Sequence, residues 1–320
     1  MTPSTISHQE TLIESSQKFN APRLIDRIFF WLTVALAVSV GLILLWITWS
    51  LLSIAFPAIA EFNIGFLFSQ VWNPVEDAYG ALPQIYGTIV SSIVALLFAI
   101  PLGVGVAVFL SENFLPRKIL TPIAFVIELL AAIPSVVYGM WGIFVFIPFI
   151  LPGLQAIYGT FGWLPFFSTQ PSTRQLFATA LVLAIMILPT IIAISRDSLV
   201  STPPELRQGA YGLGATRWET LTRVLVPSAL SGIIGSIMLA LGRALGETMA
   251  AAMLIGNSNR VSASLFAPAS TISALIANQF GEASGLQRSA LFYEALILMI
   301  MTLLVNMLAE VIVNRFQQVE

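Results

Sequence analysis

Residues 201–257 decide the fold, and they read STPPELRQGAYGLGATRWETLTRVLVPSALSGIIGSIMLALGRALGETMAAAMLIGN. The first part, residues 201–227, is polar, and we call it the platform. It carries three arginines among small residues, namely Arg207, Arg217 and Arg223. The second part is apolar for more than twenty residues from Ser228 and is interrupted only by Arg243 and Glu247. Because a bilayer span needs about 20 apolar residues, this stretch predicts a polar surface joined directly to a transmembrane helix.

The composition of the whole chain indicates a polytopic membrane protein. Of its 320 residues, 57% are apolar and 9% are charged, whereas soluble domains average roughly 45–50% and about 25%. So few charges cannot cover a soluble surface of this size, and lipid must therefore cover much of it. The chain has no Cys and a single His, His8, which excludes thiolate chemistry and a Cys/His metal cluster.

Apolar segments predict an all-α membrane protein with six transmembrane helices. The predicted spans cover residues 28–60, 84–110, a segment starting near 119 that carries Glu128, and then 175–195, 228–255 and 289–313. Between Leu129 and Thr173 no residue is charged, but five prolines interrupt the run. We therefore predict that one span ends there in a proline-rich, partly membrane-embedded connection. The predicted transmembrane domain extends over residues 23–316.

The N-terminal segment has a different composition from the rest of the chain. Residues 1–22 are rich in Ser, Thr, Gln and Glu and predict a disordered cytoplasmic tail, with an extra ordered helix as the alternative. The apolar run that follows is too long to be the hydrophobic region of a cleavable signal peptide.

Lys and Arg residues are distributed unequally between the two sides of the predicted bundle. Ten lie on one side, namely Lys18, Arg23, Arg27, Arg117, Lys118, Arg196, Arg207, Arg217, Arg223 and Arg315. The loops of the opposite side hold Arg174, Arg260 and Arg288. Since Lys and Arg accumulate in cytoplasmic loops, both termini are predicted to lie in the cytoplasm, which requires an even number of spans.

The platform is predicted to form two short helices joined at a glycine turn. Thr202 and Glu205 have the spacing of a capping box, which would start a helix over residues 203–211. Thr216 and Glu219 repeat that spacing and would start a second helix. The residues alone leave an ordinary amphipathic linker between two spans equally open.

Arg243 and Glu247 are charges inside a predicted span, where each costs at least about 2.5–3.5 kcal/mol. They lie four residues apart, so we predict that they share one helical face and offset each other's cost. A guanidinium presents a fork of donors that matches tetrahedral oxyanions. One hypothesis is therefore an anion pathway lined by Arg243, Glu247, Thr248 and Glu128, and the other is a self-satisfied pair that only packs between helices. Glu294 lies near a helix start and is expected to be interfacial.

The platform resembles the EAA loop of ABC importer permeases. The resemblance rests on Gln208-Gly209-Ala210, on Gly214 and on Val224-x-Val226-Pro227. The glycine and proline spacings match, while Gln replaces the family's Glu, Gly replaces an Ala, and Val replaces both Ile and Leu. The resemblance implies a loop that docks on an ATPase subunit, with coupling residues Glu205, Gln208, Gly209, Ala210, Gly214 and Pro227.

The segments GRALGETMA and MLIGN, within residues 242–257, resemble phosphate-specific ABC importer permeases. STISALIANQFGEA, residues 270–283, is similar to the PstC-type subunit of that family. Sulfate and molybdate permeases share RAxGE but usually continue with Phe-Gly instead of Thr-Met. The resemblance implies a type I ABC importer (MetI-like) permease fold, a cell inner membrane location and phosphate as the substrate.

The same resemblance implies several partner proteins. They are a second, PstA-like permease that completes a heterodimeric pore, two PstB-like ATPase subunits and a periplasmic, PstS-like phosphate-binding protein. The chain has no GxxxxGK[ST] motif, so it is not expected to be an enzyme or to bind a cofactor, and ATP-Mg would be used by the ATPase subunit. The alternatives are a permease for sulfate, molybdate or phosphonate, an ion-gradient-driven secondary transporter with Glu128 and Glu247 as proton carriers, and a sensory membrane scaffold.

Overall fold

A computed structural model describes residues 21–112 and 116–317. The predicted tail over residues 1–22 lies outside this range, apart from Ala21 and Pro22, which begin the first helix. That helix, α1, extends over Ala21–Phe62 and carries no charged residue from Ile28 to Ala60. Its large apolar side chains between Ile28 and Trp49 are mostly exposed, as suits a helix surrounded by lipid or by other subunits.

The other long helices have the lengths that a membrane requires. Helix α2 covers Leu82–Ser111, α3 covers Arg117–Ala132, and α6 covers Leu176–Val200. Between α3 and α6 lie α4, Ser135–Trp141, a π-helical turn at Gly142–Phe146, and α5, Ile147–Phe161. The final long helix, α13, covers Gly285–Gln317.

The remaining helices of the described chain form the platform and the segment that follows it. Platform helix α7 covers Pro204–Gly212, α8 covers Arg217–Thr220, a π-helical turn covers Leu221–Leu225, and α9 covers Val226–Ser228. They are followed by α10, Leu230–Gly246, α11, Met249–Leu254, and α12, Ile272–Gln279.

Within the described residues, five helical segments are long and apolar enough to cross a membrane, and the bent pair Arg217–Ser228 with Leu230–Gly246 gives up to six. The sixth depends on a bend of 66° between the platform and α10. The total of six, which includes the bent pair, agrees with the six spans predicted from the sequence. The all-α fold is likewise confirmed for the described residues, in which backbone pairing outside the helices is limited to isolated bridges.

The predicted bounds of the third span are wrong. A helix begins near Ile119 as expected, but it ends at Ala132, and the apolar span is the following segment, Ser135–Phe161. Ile133 adopts an extended conformation, φ −68° and ψ 127°, because the ring of Pro134 disfavours a helical conformation at the residue before it. The proline-rich region therefore contains a span, and α3 is a separate amphipathic helix that precedes it.

Small side chains hold the centre of the bundle together. Helices α2 and α6 share the most extensive contact between helices, and α10 packs against both of them and against α13. The shared core contains Ala95 and Ala99 of α2 with Ala178 of α6. These residues let the helix backbones approach closely, which is the main way in which helices associate inside a membrane.

Gly87 of α2 lies very close to the backbone of the segment before α12. A Cβ atom added at Gly87 would overlap the carbonyl oxygen of Ser270. One residue further along α2, the Thr88 hydroxyl oxygen accepts a hydrogen bond of 3.0 Å from the backbone N–H of Ile272. The missing side chain of Gly87 thus allows the start of α12 to dock on α2.

We expect Gly87→Val to destabilise the protein by at least about 1–3 kcal/mol, the usual cost of overpacking a core. The new side chain must push the Ser270 backbone away and break the hydrogen bond between Ile272 and Thr88. The measurement is the Tm of the protein purified in detergent. Gly105→Ala on the same helix is the control, because no atom lies within 4 Å of its added Cβ. Equal Tm values for the two variants would contradict the prediction.

Candidate functional site

The guanidinium of Arg243 lies in the apolar bundle without a carboxylate partner. Arg243 belongs to the last turn of α10 and is half-buried. Its Nη1 lies 3.4 Å from the hydroxyl oxygen of Thr190 on α6. Arg243 forms no ion pair with any residue that the structure describes. A long hydrogen bond to a neutral hydroxyl leaves most of the capacity of this group unused.

The predicted ion pair between Arg243 and Glu247 does not form, and this expectation is wrong. Helix α10 ends at Gly246, and Glu247 has extended backbone angles, φ −65° and ψ 123°. The two residues therefore do not share a helical face. The Glu247 carboxylate instead accepts a 3.2 Å hydrogen bond from the backbone N–H of Ala250, in the first turn of α11, where negative charge is favoured.

The predicted span over residues 228–255 is thus a discontinuous helix with a break at Glu247 and Thr248. The Thr248 hydroxyl donates a 3.0 Å hydrogen bond to the Gly246 carbonyl, which stabilises the break. Broken helices expose backbone polar groups at membrane depth only where these line a cavity or lie inside the protein. Transporter substrate sites commonly lie at such breaks, and here Arg243 lies less than one turn before it.

Glu128 lies in a different place from the other three predicted pathway residues. It is exposed on α3 and lines a small cavity together with Arg196 and Asp197 at the end of α6. Arg243, Glu247 and Thr248 do not line that cavity. The structure therefore brings Arg243, Glu247 and Thr248 together in one stretch and leaves Glu128 apart from them.

Glu294 on α13 is completely buried, at 0% exposure, so its predicted interfacial position is wrong. Neither of its carboxylate oxygens has a hydrogen-bond partner within the described chain. Its neighbours Tyr293 and Ile297 line a groove together with Ile85 and Ile89 of α2. Glu294 thus faces the protein interior at the level of the first turns of α2.

The platform has the two short helices that the sequence predicts. Helix α7 ends at Gly212, and Gly214 has a positive φ of 84°, a conformation that glycine adopts without strain. The second capping box is present, since the Thr216 N–H donates to the Glu219 carboxylate at 2.9 Å and the Glu219 N–H donates to the Thr216 hydroxyl at 3.3 Å. The first is absent, because Pro203 takes the N-cap position and the Thr202 hydroxyl donates to the Ser198 carbonyl.

The predicted coupling residues lie on the surface of the platform. Glu205, Gln208, Gly209, Gly214 and Pro227 are exposed, and Ala210 is half-buried. Four large apolar side chains of the platform are also exposed, namely Leu206, Tyr211, Leu213 and Trp218, with Leu213 at 90% and Trp218 at 71%. Large apolar side chains that stay exposed on a polar segment are available for contact with another protein. The sequence interpretation missed these four residues, although their position within an otherwise polar stretch is a detectable signal.

Two contacts attach the platform to the transmembrane helices. Leu221 and Leu225 are buried in a cluster with Leu199 of α6, and Val104 and Val108 of α2 pack against that cluster. In addition, Arg207 Nη2 lies 2.9 Å from Glu112 Oε1 at the end of α2. The sequence interpretation did not single out Glu112. No local pattern connects it with Arg207, which lies 95 residues away.

Comparison with known proteins agrees with the geometry, because it also indicates a membrane transport protein. The family described as "Binding-protein-dependent transport system inner membrane component" matches residues 99–318. The phosphate transport system permease protein PstC of Haemophilus influenzae is 43% identical over 312 residues, which cover 96% of this chain and 99% of that protein. The protein of the same name from Mesorhizobium japonicum is 45% identical over 298 residues, which cover 91% of each chain.

Solved structures with similar folds belong to ABC importers. A chain of a bacterial alginate ABC transporter, in complex with an alginate pentasaccharide-bound periplasmic protein, has a TM-score of 0.60 at 17% identity, covering 91% of this chain and 96% of that chain. A chain of the MetNI methionine ABC transporter in an inward-facing conformation has a TM-score of 0.56 at 18% identity, covering 73% and 94%. These likenesses confirm the predicted MetI-like permease fold.

Proposed function

The chain belongs to the family of binding-protein-dependent transport system inner membrane components, and from this premise we propose that it is the permease subunit of an ATP-driven importer of inorganic phosphate. The relatives that match most of its length are named as phosphate transport system permeases. The structural observation that carries the proposal is the position of Arg243, a guanidinium with no carboxylate partner among the described residues, beside a break in a transmembrane helix.

Arg243 is proposed to bind the phosphate during its passage. Its planar fork of N–H groups can donate to two oxygens of one phosphate, and the Thr190 hydroxyl at 3.4 Å can contribute a third polar contact. Placing a guanidinium in an apolar bundle costs several kcal/mol of free energy unless an anion lies beside it, on the order of 2.5–3.5 kcal/mol on insertion scales. The transported anion itself supplies that compensation when it passes, and the donors stay available because no carboxylate of the described chain pairs with Arg243.

Glu247 and Thr248 are proposed to line the same pathway at the helix break. The half-buried carboxylate of Glu247 can accept a hydrogen bond from a protonated phosphate oxygen and repels a fully deprotonated anion. Sulfate at neutral pH has no proton to donate to it, so this carboxylate favours phosphate over sulfate. Glu128, which lies on α3 beside Arg196, is proposed to act only where the pathway reaches the end of α6.

The platform is proposed to dock on an ATPase subunit that binds ATP-Mg and hydrolyses it, since this chain has no P-loop motif. Glu205, Gln208, Gly209, Ala210, Gly214 and Pro227 are assigned to this coupling surface. The exposed side chains Leu213 and Trp218 extend it with an apolar contact. Two PstB-like ATPase subunits, a PstA-like second permease and a PstS-like periplasmic binding protein complete the proposed importer.

The protein is a multi-pass component of the inner membrane. We propose that both termini and the platform face the cytoplasm, because ten Lys and Arg residues lie on that side against three on the other. This orientation places the platform on the side where ATP is available. Labelling of cysteines introduced singly into this cysteine-free chain would test it.

The proposed function is tested with the complete importer in proteoliposomes supplied with labelled phosphate, the binding protein and internal ATP. We expect uptake that depends on ATP, survives an uncoupler and is displaced by unlabelled phosphate at least about tenfold better than by sulfate, molybdate or phosphonate. Uptake that an uncoupler abolishes would indicate a secondary transporter. Preferential displacement by another oxyanion would reject phosphate as the substrate, and no uptake with intact ATPase activity would favour a sensory scaffold.

A further inference from the structure

We propose that the ion pair between Glu112 and Arg207 is the link that transmits platform movement to helix α2, and this inference rests on the proposed function. Arg207 Nη2 and Glu112 Oε1 are 2.9 Å apart, and the side chains are 28% and 11% exposed, respectively. It is the one ion pair among the side chains that the structure describes. It joins the first platform helix to the C-cap residue of a transmembrane helix.

The position of Glu112 shows that the pair differs from an ordinary surface ion pair. Glu112 follows the last residue of α2, where the helix dipole disfavours negative charge. Its side chain is also largely buried, so it needs a charged donor to compensate for its lost hydration. Arg207 supplies that donor, and a displacement of α7 that separated the two groups would leave the Glu112 carboxylate buried and unpaired.

Both parts of the platform contact the C-terminal end of α2. Val104 and Val108 lie four residues apart on one face of that helix, and Glu112 follows Val108 by four residues as its C-cap residue. Val104 and Val108 pack against the cluster that contains Leu221 and Leu225 from the second part of the platform. Glu112 binds Arg207 from the first part, and the platform therefore holds the last two turns of α2 from both of its helical parts.

The two contacts have different mechanical properties. The apolar contact of Val108 with the cluster around Leu221 sets no fixed distance or angle between two polar atoms, because the hydrophobic effect has no direction. A charge-assisted hydrogen bond between Arg207 and Glu112 requires a defined distance and angle. The ion pair therefore fixes the register of the platform along the axis of α2, and it is the contact able to move α2 lengthwise.

Helix α2 connects this link with the candidate phosphate site. Its backbone at Gly103 lies directly against Ile191 of α6, because a Cβ added there would come within 2.7 Å of Ile191 Cγ2. The residue before Ile191 is Thr190, whose hydroxyl contacts Arg243. A shift of α2 thus changes the position of Thr190 relative to Arg243 through contacts that are already closely packed.

The test uses Glu112→Arg, Arg207→Glu and the double variant with both changes, each in the complete importer in proteoliposomes. Phosphate uptake and ATP hydrolysis are measured on the same vesicles, and co-purification of the ATPase checks assembly. We expect each single variant to lower phosphate transported per ATP hydrolysed by about tenfold, in the range of typical coupling factors. The double variant should recover most of that loss, because it restores an ion pair with exchanged charges.

Lys118→Glu is the matched control, since it makes the same charge change on an exposed basic residue of α3, outside the platform, that has no ion-pair partner within the described residues. It should leave phosphate per ATP unchanged. Glu112→Gln and Arg207→Gln are milder single variants, for the case that a reversed charge prevents assembly, and they should show the same loss. The proposal is overturned if the single variants keep the wild-type ratio, or if the double variant stays as low as they are.

A second readout does not depend on the transported substrate. Spin labels on cysteines introduced at Gly105 of α2 and Leu308 of α13, both exposed, report the distance between these helices with and without trapped nucleotide. We expect a nucleotide-dependent change in the wild-type background that disappears in Arg207→Glu and returns in the double variant. If the wild-type importer moves no phosphate, the proposed function is wrong. The distance between the labels on α2 and α13 still tests whether the ion pair transmits platform movement. A nucleotide-dependent distance change that persists in Arg207→Glu would reject the role of the ion pair and leave the proposed function standing.

Discussion

Arg243→Gln is expected to abolish ATP-driven phosphate uptake while the importer still assembles and hydrolyses ATP. The glutamine removes the positive charge and the fork of donors but keeps a polar side chain of moderate length. Loss of one partner from a buried, charge-assisted contact costs about 2–5 kcal/mol. That corresponds to roughly a 30-fold to several-thousand-fold loss of uptake. Initial uptake rates at saturating binding protein measure the effect.

Two neighbouring variants separate the charge from the geometry of this side chain. Arg243→Lys keeps the charge and loses the planar fork, so it should retain uptake at an intermediate level. Thr190→Val removes the hydroxyl that lies 3.4 Å from the guanidinium and should lower uptake by less than about tenfold, as expected for a neutral hydrogen bond. Wild-type uptake in Arg243→Gln would show that this residue is not on the pathway.

The sequence predicts Arg243 as a candidate because Arg243 and Glu247 are the only charges in a long apolar run. The helix break that begins at Glu247 is not predictable in the same way. The segment GRALGETMA contains no proline, and its residues are compatible with a continuous helix. The break reflects tertiary packing, since α11 packs against α4, and Gly139 of α4 leaves room for Ala250 and Met253.

In the platform too, contacts between neighbouring residues are predictable from the sequence, whereas contacts between distant residues are not. The capping box at Thr216 forms because both of its hydrogen bonds lie within four consecutive residues. The pairing of Arg207 with Glu112 depends on how α7 and the end of α2 meet in space, and a single sequence does not encode that contact in any short pattern. The third span combines both kinds of information. Prolines in the run from Leu129 to Thr173 are visible in the sequence, but they do not show that Pro134 separates a short helix from the span that follows it.

Glu294→Lys is expected to prevent stable accumulation of the protein, whereas Glu294→Gln and Glu294→Leu are expected to be accepted. The side chain is fully buried, and its carboxylate oxygens have no donor among the residues that the structure describes. A lysine there would place a longer, charged group in the same interior position, at a cost of at least about 2.5–3.5 kcal/mol on insertion scales. Yield of folded protein and its Tm in detergent are the measurements.

The comparison of the neutral variants determines what the Glu294 carboxyl contributes. Replacement of a buried polar group by an apolar one of similar volume is often neutral or stabilising, so Glu294→Leu should have a Tm equal to or above that of the wild type. Glu310→Lys, an exposed acid on the same helix, is the matched control for a reversed charge and should be tolerated. If Glu294→Leu is stable but transports no phosphate, the carboxyl has a role in transport. If Glu294→Lys accumulates normally, the side chain must reach water or a negative partner, and its burial inside the bundle is refuted.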